Sequence, residues 1–188
     1  HSDHIKGAGI ISRKYNCPIY ATKKTWDCML EENKIGKVTP ENIKIIEKGN
    51  QLSFEGLEIM PYSIYHDAAD PVGYTFCYGD KKMSIATDLG YVDQTIMEYL
   101  KDSNLILLES NHDVGMLQAG GYPYYLKQRI LGDTGHLSNE LAAKALLGIY
   151  HEELQYAVLG HLSRENNFPD LAYITAKSKL ESNGIEVG

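Results

Sequence analysis

The chain has 188 residues, 43% of them hydrophobic, which is enough to form one domain with a substantial core. Its formal net charge of -7 is unlike that of most nucleic-acid binders, which present basic surfaces to phosphate. The composition argues against a membrane protein, since no apolar run approaches the roughly 18 residues that a span needs. The three cysteines are odd in number and widely spaced, so we expect reduced thiols in a cytoplasmic protein.

The first part of the chain predicts helices around one short strand. A helix is predicted over residues 7–15, a strand over 18–21, and a second helix over 22–32 that begins at a threonine cap. From residue 42 onward the apolar pattern changes to that of strands, separated by turn signals at Gly49-Asn50, Glu55-Gly56 and Gly79-Asp80. We expect an antiparallel meander with strands at 43–47, 51–54, 57–65, 74–78 and 83–87.

The second half of the chain alternates helices with strands. Helices are predicted over residues 93–101, 124–131, 138–150 and 170–182, and apolar strands over 104–108 and 155–159. The sequence contains no internal repeat and no low-complexity linker that would divide it. A single mixed α/β domain with layered helices and sheet follows, spanning residues 1–188.

Metal-binding residue types follow four of the predicted strands. His66, Asp88, Glu109 and His161 each come directly after an apolar run, and His1-Ser2-Asp3-His4 opens the chain. Strand ends at one edge of a sheet can converge, and sites are built there. Imidazoles and carboxylates gathered in this way suit a pair of divalent ions that attack phosphate esters. The residues therefore indicate a two-metal hydrolase.

Each of these positions also has an ordinary structural interpretation. Asp3 is a suitable helix N-cap, and Asp88 is suited to capping the turn before Gly90. His136 precedes Ser138, which is itself a suitable cap for the following helix. The aromatic cluster from Tyr122 to Tyr125 favours packing against a helix start over stacking on bases.

Several motifs together resemble one protein family. His1-Ser2-Asp3-His4 resembles the last four positions of the H-x-H-x-D-H motif of the metallo-β-lactamase superfamily. Five later blocks resemble, in order, motifs of its YycJ (WalJ) branch, which is similar to the RNase Z and RNase J nucleases. They are Tyr65-His66-Asp67-Ala68-Ala69, Ala86-Thr87-Asp88-Leu89-Gly90-Tyr91, Glu109-Ser110-Asn111-His112-Asp113, Gly135-His136-Leu137-Ser138-Asn139 and Gly160-His161-Leu162-Ser163.

This resemblance implies an αββα sandwich with the metals at one edge of the two sheets. The first histidine of H-x-H-x-D-H, and the N-terminal strands of the family, would precede His1. We therefore expect an N-terminally truncated domain, completed by the missing segment or by another copy of the chain in a homo-oligomer.

The resemblance also assigns roles to individual residues. It implies that His1 and His66 bind one ion with the preceding histidine, and that Asp3, His4 and His161 bind a second. Asp88 would bridge the two ions, which are zinc or manganese, and Asp3 would orient the attacking hydroxide. The remaining assignments are His136 as a general acid held by Glu109, and Asn111 and His112 as substrate-binding residues.

The activity that the resemblance implies is that of a 5′-to-3′ exonuclease on DNA, with nucleic acid as partner and no membrane. The leading alternative is another hydrolase of the superfamily, such as a thioesterase or lactonase, which needs the metals but not a His136–Glu109 pair. A second alternative is a non-catalytic binding module, suggested by the acidic charge and the absent first histidine.

Overall fold

A computed structural model of the protein describes residues 1–31 and 33–187. Helices and strands alternate along most of this length, with a short 3-10 helix at Pro40–Asn42. The helices are α1 (Ser2–Ile5), α2 (Ala8–Tyr15), α3 (Lys23–Glu31), α4 (Gln94–Leu100), α5 (Val114–Ala119), α6 (Tyr124–Leu131), α7 (Asn139–Ile149) and α8 (Pro169–Glu181). The strands are β1 (Ile19–Thr22), β2 (Ile43–Ile46), β3 (Leu52–Phe54), β4 (Leu57–Ser63), β5 (Val72–Tyr78), β6 (Lys81–Ala86), β7 (Leu105–Glu109) and β8 (Tyr156–Gly160).

A six-stranded sheet forms the centre of the structure, with strands in the order β3-β4-β5-β6-β7-β8. Neighbouring strands from β3 to β6 are antiparallel, whereas β6, β7 and β8 run parallel to one another. The register pairs Ala86 with Leu108, and Leu108 with Leu159. The carboxyl ends of these three strands therefore meet at one edge of the sheet, where the chemistry-bearing residues follow.

The strand β2 is not part of the predicted meander. It pairs in parallel with β1, with Ile19 opposite Ile43, and the two strands form a separate sheet. Helix α3 connects them, and its Trp26 Nε1 donates to the Lys44 carbonyl at 3.0 Å. A short apolar strand has the same local sequence pattern whether its partner is parallel or antiparallel, so the meander prediction was wrong at this strand.

Two groups of buried side chains hold these layers together. The larger one lies between the six-stranded sheet and helices α4, α7 and α8, and includes Leu100, Ile106, Leu108 and Leu146. Each such side chain contributes roughly 1.5–3 kcal/mol when it is fully buried. The smaller group lies under the two-stranded sheet and is formed by Trp26, Met29 and Ile35. The sheets flanked by helices confirm the mixed α/β fold class.

Most of the predicted elements are present, with ends shifted by one or two residues. The Thr22 cap is confirmed, since its Oγ1 accepts from the Thr25 backbone N–H at 3.4 Å. Residue 32, the last of the helix predicted over 22–32, lies outside the described residues. The short helices α1 and α5 were not predicted. The cysteines form no disulfide among the described residues. No described helix is both long and apolar enough to cross a bilayer.

Candidate metal centre

The predicted strand-end residues converge on one point at the edge of the six-stranded sheet. Asp88 Oδ1 lies 3.5 Å from His66 Nε2 and 3.5 Å from His161 Nε2. The other carboxylate oxygen of Asp88, Oδ2, faces His4 Nε2 on α1. Asp88 is thus in contact with histidines from three separate parts of the chain.

Two neighbouring triads of possible ligands surround Asp88. His1, His66 and Asp67 form one triad, and Asp3, His4 and His161 form the other, each with ligand atoms within 4.8 Å of one another. A third, overlapping group contains Asp88, Glu109, His136 and His161. The assignment of these residues to two separate ions stays a prediction.

The ring nitrogens of His1 and His66 give a direct test of whether a cation fits. His66 Nδ1 lies 3.0 Å from the Gly135 carbonyl, and His1 Nε2 lies 3.2 Å from the Asp67 carbonyl. Because a carbonyl only accepts, each of those nitrogens carries the proton, and the other nitrogen of each ring is left with a lone pair. These two lone-pair nitrogens face each other at 3.1 Å. A shared proton or a metal ion satisfies both nitrogens, and two neutral imidazoles at this separation are suitable ligands for a divalent ion.

Glu109 connects two histidines beneath this cluster. Its side chain is fully buried, and Oε1 accepts from His136 Nδ1 at 2.8 Å and from His161 Nδ1 at 2.7 Å. Oε2 accepts from the Leu89 backbone N–H at 2.8 Å. Burial alone would raise the pKa of Glu109, but the hydrogen bonds from the two imidazoles outweigh it and lower that pKa. Glu109 therefore remains a carboxylate in the interior.

The bond to Glu109 decides how His161 presents its ring. Since Nδ1–H donates to the carboxylate, Nε2 carries the lone pair and points at Asp88. The same hydrogen bond raises the pKa of His161. A carboxylate that holds the distal nitrogen of an imidazole is the usual support for a metal-binding histidine.

Two of the cluster residues have a left-handed backbone. Asp88 has φ of 57° and His161 has φ of 55°, although neither is glycine. Such conformations cost on the order of 1 kcal/mol or more, and they occur mainly where a site requires them. Both residues come shortly after the end of a strand, β6 for Asp88 and β8 for His161, and the turn there directs each side chain toward the cluster.

His136 differs from the other histidines of the site. Its Nδ1 donates to Glu109, its ring is 21% exposed, and within residues 1–31 and 33–187 its Nε2 has no hydrogen-bond partner. The predicted Ser138 cap is also present, since Ser138 Oγ accepts from the Leu141 N–H at 3.3 Å. The two interpretations of this loop are therefore compatible.

The structural alternatives for Asp3 and Asp88 find no support in the described contacts. The N-cap of α1 is His1, without a side-chain cap bond. The N–H of Leu89, which follows Asp88, is taken by Glu109. Both carboxylates face histidines instead, with Asp3 Oδ2 at 3.6 Å from His4 Nε2.

The predicted substrate-binding residues Asn111 and His112 differ in burial, since Asn111 is half-buried and His112 is fully buried. The Asn111 amide donates to the His161 carbonyl at 2.8 Å, which fixes the His161 loop. His112 is 1% exposed, and neither ring nitrogen hydrogen-bonds a described residue. A role for these two residues in substrate binding stays a prediction. The packing predicted for Tyr124 and Tyr125 was wrong, since they are 77% and 74% exposed.

Sequence reasoning missed the pairing of Asp67 with Arg129. Arg129, on α6, donates from Nε to Asp67 Oδ2 and from Nη2 to Asp67 Oδ1. The hydrogen bond from Arg129 lowers the pKa of Asp67. The partners are 62 residues apart, and the position of Asp67 directly after His66 was the only local signal.

The cluster lies between two cavities. One, of about 410 Å³, lies between α1, α3 and the segment after β4. The other, of about 330 Å³, is bordered by His66, Asp67, Asn111, Tyr122, Leu126, Arg129, Ile130, Gly135, His136, Ser163 and Arg164. We call the second one the arginine cavity, since two of the three arginines of the chain line it.

A carboxylate-rich cluster with five histidines at the edge of a helix-flanked sheet is typical of a metallohydrolase centre, and the comparisons agree. Residues 1–161 match the family model described as the beta-lactamase superfamily domain. The exodeoxyribonuclease YycJ of Bacillus anthracis is 41% identical over all 188 residues, which correspond to 70% of its own length. The exodeoxyribonuclease WalJ of Streptococcus pneumoniae is 40% identical with the same coverage.

A comparison of structures gives the same fold. The metallo-beta-lactamase fold protein YhfI from Bacillus subtilis superimposes with a TM-score of 0.65 at 18% identity, covering 95% of this chain and 68% of that one. The chain belongs to the beta-lactamase superfamily of metallohydrolases. Membership implies a divalent metal cofactor, for which the cluster around Asp88 provides ligands.

Proposed function

We propose that this chain is a two-metal phosphodiesterase that acts on nucleic acid, as a 5′-to-3′ exonuclease on DNA. The observation that carries the proposal is the pair of hydrogen bonds that Glu109 accepts from His136 and His161. One buried carboxylate thereby joins a metal-binding imidazole to a second imidazole whose Nε2 has no described partner. The names of the two exodeoxyribonuclease relatives support the choice of DNA, and the family resemblance supports the direction.

The proposed ligands fall into two sets with one shared residue. His1 and His66 hold one ion, while Asp3, His4 and His161 hold the second. Asp88 is shared, because its Oδ1 lies 3.5 Å from both His66 Nε2 and His161 Nε2, which belong to different sets, while its Oδ2 faces His4. Zinc and manganese both suit these donors. When bound, such ions polarise the scissile phosphate and make a water molecule acidic enough to attack at neutral pH.

His136 is the proposed general acid. Its side chain lines the arginine cavity, where a leaving oxygen can receive a proton from Nε2, and the hydrogen bond from Nδ1 to Glu109 fixes the ring. Asp3, at 65% exposure, is accessible to the attacking water and orients it in this proposal. Asn111 borders the same cavity and keeps one amide N–H for the substrate.

The acidic net charge is compatible with this proposal. Several of the acidic groups belong to the cluster itself, where bound cations reverse the local potential. The arginine cavity next to the cluster adds cationic side chains at the place where the substrate enters. Net charge describes the whole chain, whereas phosphate binding depends on such a local patch.

The proposal is tested by digesting one DNA sequence labelled at either end, as single strand and as duplex, with the metal-loaded protein. A 5′-to-3′ exonuclease releases the 5′ label as a mononucleotide at once and shortens the 3′-labelled strand gradually. A chelator should abolish both signals, and RNA of the same sequence should be cut more slowly. Early release of the 3′ label would reverse the proposed direction.

The variant His136→Ala separates the nuclease from other hydrolases of the family. We expect cleavage to fall by about 10²–10⁴-fold, the usual contribution of a general acid, with metal content unchanged. His151→Ala is the matched control, since His151 bonds the Ser103 carbonyl away from the cluster. Full activity of His136→Ala on a thioester or lactone, without cleavage of DNA by the wild type, supports the thioesterase or lactonase alternative. Fewer than two ions per chain together with no hydrolysis supports a binding module.

A further inference from the structure

The arginine cavity has the size and chemistry of a small-ligand site. Its volume of about 330 Å³ falls at the lower end of the roughly 300–1,000 Å³ typical of such sites. It therefore has room for one nucleotide unit but not for a length of polymer. His66 and His136 border it, so a ligand inside it touches the cluster directly.

Two arginines provide the cavity with hydrogen-bond donors that can bind a phosphate. A guanidinium has five N–H donors, and Arg129 donates two of them to Asp67, so three remain. Arg129 is also 54% exposed, so these donors are accessible. Arg164 forms no hydrogen bond or ion pair with any residue in 1–31 or 33–187 and adds an unpaired positive charge. The third arginine, Arg13, is occupied by the carbonyls of Ile35 and Lys37.

Asp67 holds Arg129 in a fixed orientation. The pair is bidentate, and the Asp67 backbone N–H is itself anchored to the Thr134 carbonyl at 3.0 Å. A fork held in this way loses little side-chain freedom when it binds a phosphate. Tyr122, half-buried in the wall of the same cavity, offers a ring for stacking, and any base has a face that suits it.

We propose that the arginine cavity binds the leaving nucleotide of the substrate, with Arg129 and Arg164 on its phosphate and Tyr122 against its base. The position of His136 supports the leaving side, since this is the residue that we propose protonates the leaving oxygen. The inference rests on the proposed nuclease function. In it, Arg129 and Arg164 bind the substrate, and Asp67 is a positioning residue that acts through Arg129.

The test measures equilibrium binding of thymidine 5′-monophosphate and of thymidine to the metal-loaded protein by calorimetry. Neither probe has an internucleotide bond, so binding is independent of cleavage. The wild type should bind the monophosphate at least tenfold more tightly than thymidine. Arg129→Gln and Arg164→Gln should each weaken binding of the monophosphate about tenfold and leave the affinity for thymidine unchanged. Arg129→Lys should restore only part of the lost affinity.

Lys127→Gln is the matched control for charge. It removes one positive charge from the same helix, but Lys127 bonds the Gln118 carbonyl and does not line the cavity. It should bind both probes like the wild type. An equal loss in Lys127→Gln and Arg129→Gln overturns the inference, because the effect would then be one of general charge. A loss of metal in Arg129→Gln also overturns it, because Arg129 would then serve the cluster through Asp67.

Two further outcomes separate this inference from the nuclease proposal. If the wild type digests DNA but the monophosphate binds independently of both arginines, the nucleotide site is wrong and the nuclease proposal stands. If binding of the monophosphate depends on both arginines but no DNA is cleaved, the nucleotide site stands and the nuclease proposal is wrong. Tyr122→Leu should weaken binding of both probes by a similar factor, since both contain the same base. An unchanged affinity for thymidine contradicts the stacking contact.

Discussion

The cluster around Asp88 has two halves that are held in very different ways. The strand half is formed by His66, Asp88 and His161, which follow the ends of paired strands, and by the fully buried Glu109, the last residue of β7. The helix half is formed by Asp3 and His4 on the four-residue helix α1, which buries no residue, and by its N-cap His1. The side chains of Asp3 and His4 are 65% and 48% exposed.

This difference shows which part of the cluster is preorganised. Each imidazole of the strand half has its distal nitrogen fixed by Gly135 or Glu109, so its ring points correctly before any ion binds. The helix half is fixed mainly by its contacts across the cluster, such as His4 with Asp88. We infer that metal binding orders the helix half onto a strand half that is already formed.

Loss of Asp88 should have the largest effect, because this residue contacts both halves. In Asp88→Ala we expect metal content to fall and turnover to drop by about 10³-fold or more, since Asp88 is the ligand shared by the two proposed ions. Metal analysis and the nuclease assay measure this. Asp80→Ala is the control, as Asp80 is an acid exposed on a turn. Full metal content in Asp88→Ala would show that the halves are independent.

Removing the charge of Glu109 should test the strand half alone. In Glu109→Gln the two imidazoles share a neutral acceptor, and we expect metal affinity to fall by about 10–100-fold, the usual effect of losing such a support. Competition with a coloured chelator measures the affinity. Glu58→Gln, at an exposed strand position, should behave like the wild type. An unchanged affinity in Glu109→Gln contradicts the idea that Glu109 preorganises the cluster.

Removal of the metal should affect the two halves unequally. After treatment with a chelator, the amides of α1 should exchange with deuterium much faster, while those of β7 should keep their protection. Hydrogen exchange with and without chelator measures this, and re-added zinc or manganese should reverse it. Equal loss of protection in α1 and β7 would mean that the strand half also needs the ion in order to form.

The smallest expected effect lies outside the cluster, at Lys48 and Asp70. Lys48 Nζ lies 2.6 Å from Asp70 Oδ1. Partial burial would raise the pKa of Asp70, but hydrogen bonds from Lys48 and Thr22 outweigh it and lower that pKa. The stabilisation is therefore present above the ordinary pKa of an aspartate and is lost as the pH falls through the lowered value.

In Lys48→Met we expect a loss of about 0.5–1 kcal/mol at pH 7, typical of a partly exposed pair. The difference in Tm from the wild type should shrink at acid pH, because Asp70 is then neutral in both proteins. Thermal unfolding at the two pH values measures this. A difference that is independent of pH would assign the effect to packing of the lysine stem, which Lys48→Arg should largely preserve.

The strand half was readable from sequence because each of its residues ends an apolar run. A chemically active residue after a strand is a local signal, and the parallel order of β6, β7 and β8 brings those ends together. The strand positions were also predictable, since apolar periodicity and turn residues are local. The two-metal division of ligands came from the family resemblance and stays a prediction, although the candidate ligands do lie close together.

Other features depend on contacts between distant residues and were not predictable. Nothing near β2 indicates that it pairs with β1 and not with β3. Helix α1 is shorter than any helix that is stable by itself, so it carries no periodic pattern. The single carboxylate of Glu109 serves two histidines, 27 and 52 residues away, and only the folded chain shows this sharing.

The left-handed backbone at Asp88 and His161 has a consequence for engineering. Glycine adopts this conformation without steric cost, so backbone strain taken by itself favours glycine at both places. Such substitutions would discard two side chains that face the cluster, and at position 161 also a hydrogen bond to the buried Glu109. A stabilisation campaign on this chain should therefore keep positions 88 and 161 fixed and search elsewhere.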